Sequence, residues 1–124
     1  MTKVLFVEDD SDQAFLYREV LNLKGIETDS AISGEEALKK VAENKPDLIF
    51  MDILLNGENG LDVMQKIKQD EKTKDIPVIV FTNTNKKEYK DRAEDLGAAD
   101  FLIKSQIVPQ EVAEKVKAMF EKKS

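Results

Sequence analysis

The chain has 124 residues, a formal net charge of −6, and neither cysteine nor histidine. That length supports one core and no second module, so a single domain spanning 1–124 without an output domain is expected. The composition excludes disulfides, thiol nucleophiles, thiolate or imidazole zinc sites and serine–histidine triads, so any catalysis must run on carboxylate, hydroxyl and amine. The acidic balance argues against binding nucleic acid. With no basic-then-apolar leader and no membrane-length apolar stretch, the expectation is a soluble cytoplasmic protein with no membrane partner.

Short apolar runs alternate with helical patterns, the sequence form of βα units around a parallel sheet. The first strand is predicted at Lys3–Val7 and the first helix at Ser11–Leu23, closed by Gly25. A second strand at Glu27–Ala31 is polar and suits a sheet edge. It leads to a helix over 35–42, which Ser33 caps with Glu36 three residues on. Leu48–Met51 is the third strand, followed by a helix over 61–69; 78–81 is the fourth, followed by a helix over 87–96 that Gly97 closes. The fifth strand spans 101–103, and Pro109 suits the first turn of a last helix at Pro109–Phe120. Strands one, three and four are nearly all apolar, as strands covered on both faces should be, so they belong at the centre.

In open parallel sheets, ligands bind beyond the carboxyl ends of the strands. Glu8 and Asp9 follow the first strand, Asp52 ends the third, Thr82 follows the fourth and Lys104 the fifth. Carboxylates that converge need a cation to stay ionised, and a hard cation such as Mg2+ takes oxygen ligands from one or two carboxylates plus phosphate oxygens and water. Asp9 and Asp52 can ligate directly and Glu8 through a water. A carboxylate can also accept a phosphoryl group if the charge on the transferring oxygens is neutralised, a task open to the metal, Lys104 and the Thr82 hydroxyl. Each residue has a duller explanation taken singly. The acidic triplet can cap a helix, Asp52 can shape a turn, Thr82-Asn83 can cap the next helix, and Lys104 can be one more solvated lysine. Their joint placement at four strand ends is what argues for a site.

These residues carry a resemblance. The acidic pair Glu8-Asp9, Asp52 with Gly60 eight residues later, Thr82 thirty residues after Asp52 and Lys104 twenty-two beyond that make the whole chain resemble the receiver domain of two-component response regulators. The resemblance implies a flavodoxin-like α/β fold, (βα)5, with an open parallel sheet in the order 2-1-3-4-5 and helices on both faces. It implies that Asp52 is the phosphoacceptor, receiving its phosphoryl group from a phosphohistidine on a sensor histidine kinase or histidine phosphotransfer protein. Glu8, Asp9, Asp52 and the backbone carbonyl of Leu54 would bind Mg2+, while Thr82 and Lys104 would hold phosphoryl oxygens. Phe101 matches an aromatic that turns inward with Thr82 and remodels the face of helix four, strand five and helix five for a downstream protein target. Such a domain is not an enzyme acting on an outside substrate; its chemistry is its own phosphorylation and dephosphorylation.

The chain departs from the family pattern at four points. Asn56 stands where proline is common, so a more mobile loop after Leu54 is expected. Asn83 replaces a small residue and is expected to narrow access to Asp52. Ser105 follows Lys104 in place of a proline that carries a cis bond; a non-proline cis peptide costs about 3–4 kcal/mol, which favours trans here. Phe101 lacks a phenolic hydroxyl. The alternatives are a degenerate receiver serving as a phosphorylation-independent adaptor and a phosphatase of the haloacid-dehalogenase type. The phosphatase expects a second aspartate two residues after the nucleophile, where Leu54 stands. A flavin module is disfavoured because Glu8-Asp9-Asp10 would repel its phosphate. Helix one carries apolar residues on two stripes, Leu16, Val20 and Leu23 beside Ala14, Tyr17 and Leu21, more than one core face requires. The surplus fits either a docking surface for the kinase or phosphotransfer helices or a helix wedged between neighbouring elements. The basic run from Lys86 to Arg92 is interleaved with Glu88, Asp91 and Glu94 and reads as a solvated helix.

Overall fold

The structure, a computed structural model, describes residues 2–121. Its main sheet has five parallel strands: β1 (Lys3–Val7), β2 (Glu27–Ala31), β3 (Leu48–Met51), β4 (Val78–Thr82) and β5 (Asp100–Ile103), in the order β2-β1-β3-β4-β5. Five helices alternate with them: α1 (Ser11–Leu23), α2 (Gly34–Asn44), α3 (Gly60–Gln69), α4 (Lys87–Asp95) and α5 (Pro109–Phe120). This is the predicted order, with β1, β3 and β4 buried in the middle.

Strand alternation divides the apolar residues between two cores. Leu5, Val7, Ile49, Met51, Val78 and Val80 face one side, where they pack with Val41 from α2, Leu61 and Met64 from α3 and Ala93 from α4. Val4, Phe6, Leu48, Phe50, Ile79 and Phe81 face the other, against Tyr17 and Leu21 of α1 and Val112 and Val116 of α5. The second core is aromatic: the Phe6 and Phe50 rings stack at 4.8 Å, and Tyr17 meets Phe81 edge-on at 4.9 Å.

The polarity of β2 follows from its edge position. Its odd residues pair with β1, leaving the backbone of Thr28 and Ser30 facing outward. Arg18 donates to the Thr28 carbonyl at 3.3 Å, Lys40 Nζ donates to the Ser30 carbonyl at 2.6 Å, and the Ser30 N–H is taken by Asp29 Oδ1 at 2.8 Å. At the opposite edge the Phe101 N–H donates to Asp100 Oδ1 at 2.8 Å. Charged side chains thus occupy groups that would otherwise accept a foreign strand.

Several boundaries differ from expectation. Thr82 is the last residue of β4 and does not follow it; β5 starts at Asp100, one residue early. Helix α2 runs from Gly34 to Asn44 and is ended by Lys45 in the left-handed region (φ 41). Gly25 and Gly97 follow α1 and α4 with positive φ, as predicted. Ser33 Oγ accepts from the Glu36 N–H at 3.2 Å, but Glu36 reaches past the cap to the Ile32 N–H at 2.8 Å. The loop Leu54–Asn59 contains a small antiparallel ribbon of Leu54–Leu55 with Glu58–Asn59, an element that was not predicted. Asn56-Gly57 between two short flanks is a turn signal that supports such pairing. No peptide bond among the described residues is cis, including Lys104–Ser105.

Candidate functional site

Strand register assembles the site. Val7 lies beside Met51, so the next residues, Glu8 and Asp52, leave the sheet side by side; the Asp52 N–H donates to the Val7 carbonyl at 3.1 Å. Thr82 pairs with Ile103, which places Lys104 one residue past the last rung. Parallel strands all end on the same rim, so residues far apart in sequence meet there without any further device.

The three acids come together as predicted. Glu8, Asp9 and Asp52 each offer a carboxylate oxygen, and these lie within 4.8 Å of one another. Glu8 and Asp52 are buried and Asp9 is the most open of the three. Asp52 uses one oxygen to accept the Leu54 N–H at 3.2 Å and the other to accept from Lys104 Nζ at 2.8 Å. The Leu54 contact is the turn geometry of the duller explanation, and the bond from Lys104 to the second oxygen goes beyond it. Lys104 also donates to Glu8 Oε1 and, at 3.1 Å, to Gln13 Oε1. Its ammonium is therefore no solvated lysine: 9% exposed, it bonds two buried carboxylates 96 and 52 residues away in sequence.

The ionisation of the site follows from burial and pairing. Burial pushes the Glu8 carboxyl above its ordinary pKa, against the opposing pull of Lys104 and the Asp10 N–H. For Lys104 burial acts downward, yet its hydrogen bonds to Asp52 and Glu8 and their charges together outweigh it and hold the ammonium above its ordinary value. Lys104 is thus a fixed positive charge at neutral pH.

Thr82 is fully buried, and its Oγ1 has no hydrogen-bond partner in the structure. A buried hydroxyl without a partner costs about 1–3 kcal/mol and calls for an explanation. Thr82 does not cap α4, whose N-cap is Lys86. Phe101 sits half-buried in β5 with Lys90 Nζ 5.8 Å above its ring. Leu54 lies directly beside Asp52 in the ribbon, with its side chain exposed.

Two parts of the site were not anticipated. Gln13 lies in the first turn of α1, just past the Asp10 cap, and a polar residue that close in sequence to the acidic cluster was the available signal that its side chain could reach the same rim. Gly60 was noted only for its spacing. A Cβ there would collide with the Asp52 carbonyl oxygen, so the backbone of α3 approaches the acid as only glycine allows.

The donor set suits a hard divalent cation: carboxylates converge from two strand ends, two of them buried, and the chain has no cysteine or histidine to compete as ligands. The unpartnered Thr82 hydroxyl and the Lys104 ammonium suit an oxyanion on the same rim.

Known proteins agree with this geometry. A family profile for the response regulator receiver domain matches residues 4–117. The polar-differentiation response regulator DivK of Brucella ovis is 39% identical over 111 residues, covering 89% of this chain and 90% of DivK. The phosphate regulon transcriptional regulatory protein PhoB of Rhizobium meliloti is 31% identical over 96% of this chain but 52% of its own length, so the chain spans about half of that relative. Among solved structures, a two-component response regulator from Clostridium difficile superposes with a TM-score of 0.88 at 32% identity, covering 98% of both chains. The Mn2+-bound form of response regulator Rcp1 gives 0.85 at 25% identity, covering 100% of this chain and 98% of that one. No helix among the described residues is long and apolar enough to cross a membrane. Receiver domains are phosphorylation-based signalling modules of two-component systems and not classical enzymes. This chain, with its flavodoxin-like parallel sheet and its acidic rim, belongs to the response regulator receiver domain family.

Proposed function

We propose that this receiver takes a phosphoryl group from a phosphohistidine onto Asp52 in a Mg2+-dependent transfer, and that the modified domain presents an altered surface to a protein target. An Asp52 carboxylate oxygen attacks phosphorus, forming a P–O bond as the P–N bond to the donor imidazole breaks; the imidazole nitrogen keeps the electron pair and is protonated from solvent. Asp9 and Asp52, with the Leu54 carbonyl and Glu8 through water, would hold the cation, a reading supported by their convergence and by the Mn2+-bound state of Rcp1. When bound, the cation neutralises charge on a phosphoryl oxygen. Lys104 would release Asp52 to bond a second oxygen, and Thr82 would bond the third.

The single observation that carries this reading is the pairing of a carboxylate cluster with two oxyanion-directed groups on one rim, one of them a buried hydroxyl that has no other task. Exposed apolar side chains ring that rim: Phe15 and Leu16 on α1, Ile32 after β2, Leu54 after β3 and Val108 before α5. They suit docking of a sensor kinase or phosphotransfer protein over Asp52. The target would bind on α4, β5 and α5, where Lys90, Phe101, Ile103, Ile107 and Glu111 line a groove.

Mass spectrometry after incubation with acetyl phosphate and Mg2+ tests the reading. The wild type should gain one phosphoryl group and Asp52→Asn none. A wild type that gains none from acetyl phosphate and from a competent kinase would support the phosphorylation-independent adaptor instead.

A further inference from the structure

Beyond the last rung of the β4–β5 ladder, between Thr82 and Ile103, one more link joins the two strand ends: the Ser105 N–H donates to Asn83 Oδ1 at 3.0 Å. Each partner directly follows a residue of the site, Asn83 after Thr82 and Ser105 after Lys104. The link depends on both identities. A small aliphatic residue at 83 has no acceptor, and a proline at 105 has no N–H. Asn83 has no competing role in the next helix, which is capped at Lys86. Ser105 lies in the short 3-10 turn Lys104–Gln106, so its amide is set by the same turn that carries Lys104.

We propose that Asn83 is a positioning residue which, through Ser105, fixes the separation between the Thr82 hydroxyl and the Lys104 ammonium. On the proposed function, on which this inference rests, those two groups must meet different oxygens of one phosphoryl group. Their backbones sit on adjacent strands whose ladder ends one residue before Lys104, so the link is one further tie between the two strand ends. Asn83 and Ser105 are exposed, and a single neutral hydrogen bond of this kind is worth roughly a threefold to tenfold effect on a rate that needs both groups in register.

This differs in sign from the expectation that Asn83 merely narrows the entrance to Asp52. A gate predicts that a smaller residue speeds reaction with a small donor; a positioning link predicts that it slows it. The test compares wild type, Asn83→Ala and Asn83→Leu with acetyl phosphate at saturating Mg2+, following the maximal rate of phosphoryl gain, with Mg2+ affinity by calorimetry as the control for the acidic cluster. Leucine keeps the bulk of asparagine and removes the acceptor. Both variants should slow threefold to tenfold with Mg2+ affinity within about twofold of wild type, and the Ser105 amide should lose its protection from hydrogen exchange in both. A faster or unchanged alanine variant, a slow alanine with an unaffected leucine variant, or a Ser105 amide that exchanges equally fast in wild type each overturns the proposal. Asn83→Ser, whose hydroxyl is too short to reach, replaces leucine if that variant misfolds. A wild type that gains no phosphoryl group overturns the proposed function, and with it the role given to the link, while the exchange measurement separately decides whether the link exists.

Discussion

Thr82→Val is the substitution whose two effects should run in opposite directions. The residues are nearly isosteric, so the change exchanges a hydroxyl for a methyl in a site with no solvent access. Oγ1 has no partner to lose, so the wild type carries the full desolvation penalty of a buried hydroxyl, about 1–3 kcal/mol, and valine adds an apolar group worth about 0.8 kcal/mol of burial. Allowing for imperfect packing of the methyl, the metal-free variant should be more stable by about 1–2 kcal/mol, roughly 4–8 °C in Tm for a domain of this size. Urea titration followed by circular dichroism should place the gain in the midpoint with an unchanged slope. The same variant should then lose one charge-assisted hydrogen bond to a phosphoryl oxygen, about 1.5–3 kcal/mol, so that beryllofluoride with Mg2+ stabilises it less than it stabilises wild type. A variant destabilised by 1 kcal/mol or more in the metal-free form would mean that the hydroxyl is satisfied in solution, and the reading of Thr82 as a group held ready for an oxyanion would fail.

Lys104→Met removes the ammonium that bonds Glu8 and Asp52, so calorimetry should find Mg2+ binding strengthened roughly tenfold or more, while a phosphoryl group on Asp52 is acquired poorly; unchanged Mg2+ affinity would show that Lys104 does not compete with the cation. Because burial holds the folded pKa of Glu8 above its unfolded value, the stability it contributes is present below the unfolded pKa and is lost as pH rises through the folded one. Metal-free urea midpoints measured between about pH 4 and pH 8 should therefore fall less steeply in Glu8→Gln, and parallel profiles would refute the assignment. Gly60→Ala should cost at least about 3 kcal/mol and abolish phosphoryl acceptance, since the Asp52 carbonyl must move to admit the Cβ; a variant with wild-type Tm would contradict the close approach.

Much of this fold was legible because its signals are local. Val4-Leu5-Phe6-Val7 and Leu48-Ile49-Phe50-Met51 are continuous apolar runs because both sheet faces are covered, and the two cores divide them residue by residue. The edge strand was legible through its polarity, but the reason for that polarity was not. Arg18 and Lys40 cap its outward carbonyls from two different helices, and no pattern within Glu27–Ala31 points to them. The ribbon after Leu54 was missed because strands of two residues give no periodicity, and the Asn56-Gly57 turn was read only as a departure from a familiar loop.

The site divides along the same line. Sequence reading could place Glu8, Asp9, Asp52, Thr82 and Lys104 at strand ends, since a parallel sheet converts strand order into spatial convergence. It could not say how they are partnered there. That Lys104 ties down both buried acids while Thr82 is left unpartnered is a property of the assembled rim, and it changes what each residue does there. Two buried carboxylates without Lys104 would repel each other and raise the cost of folding; with it they remain ionisable and close together. On the proposed function the same ammonium would leave Asp52 when a phosphoryl group arrives, and its freed donors would find new acceptors on that group. The two ion pairs of Lys104 thus offset part of the charge of these acids, which lets a fold this small bury Glu8 and Asp52 side by side.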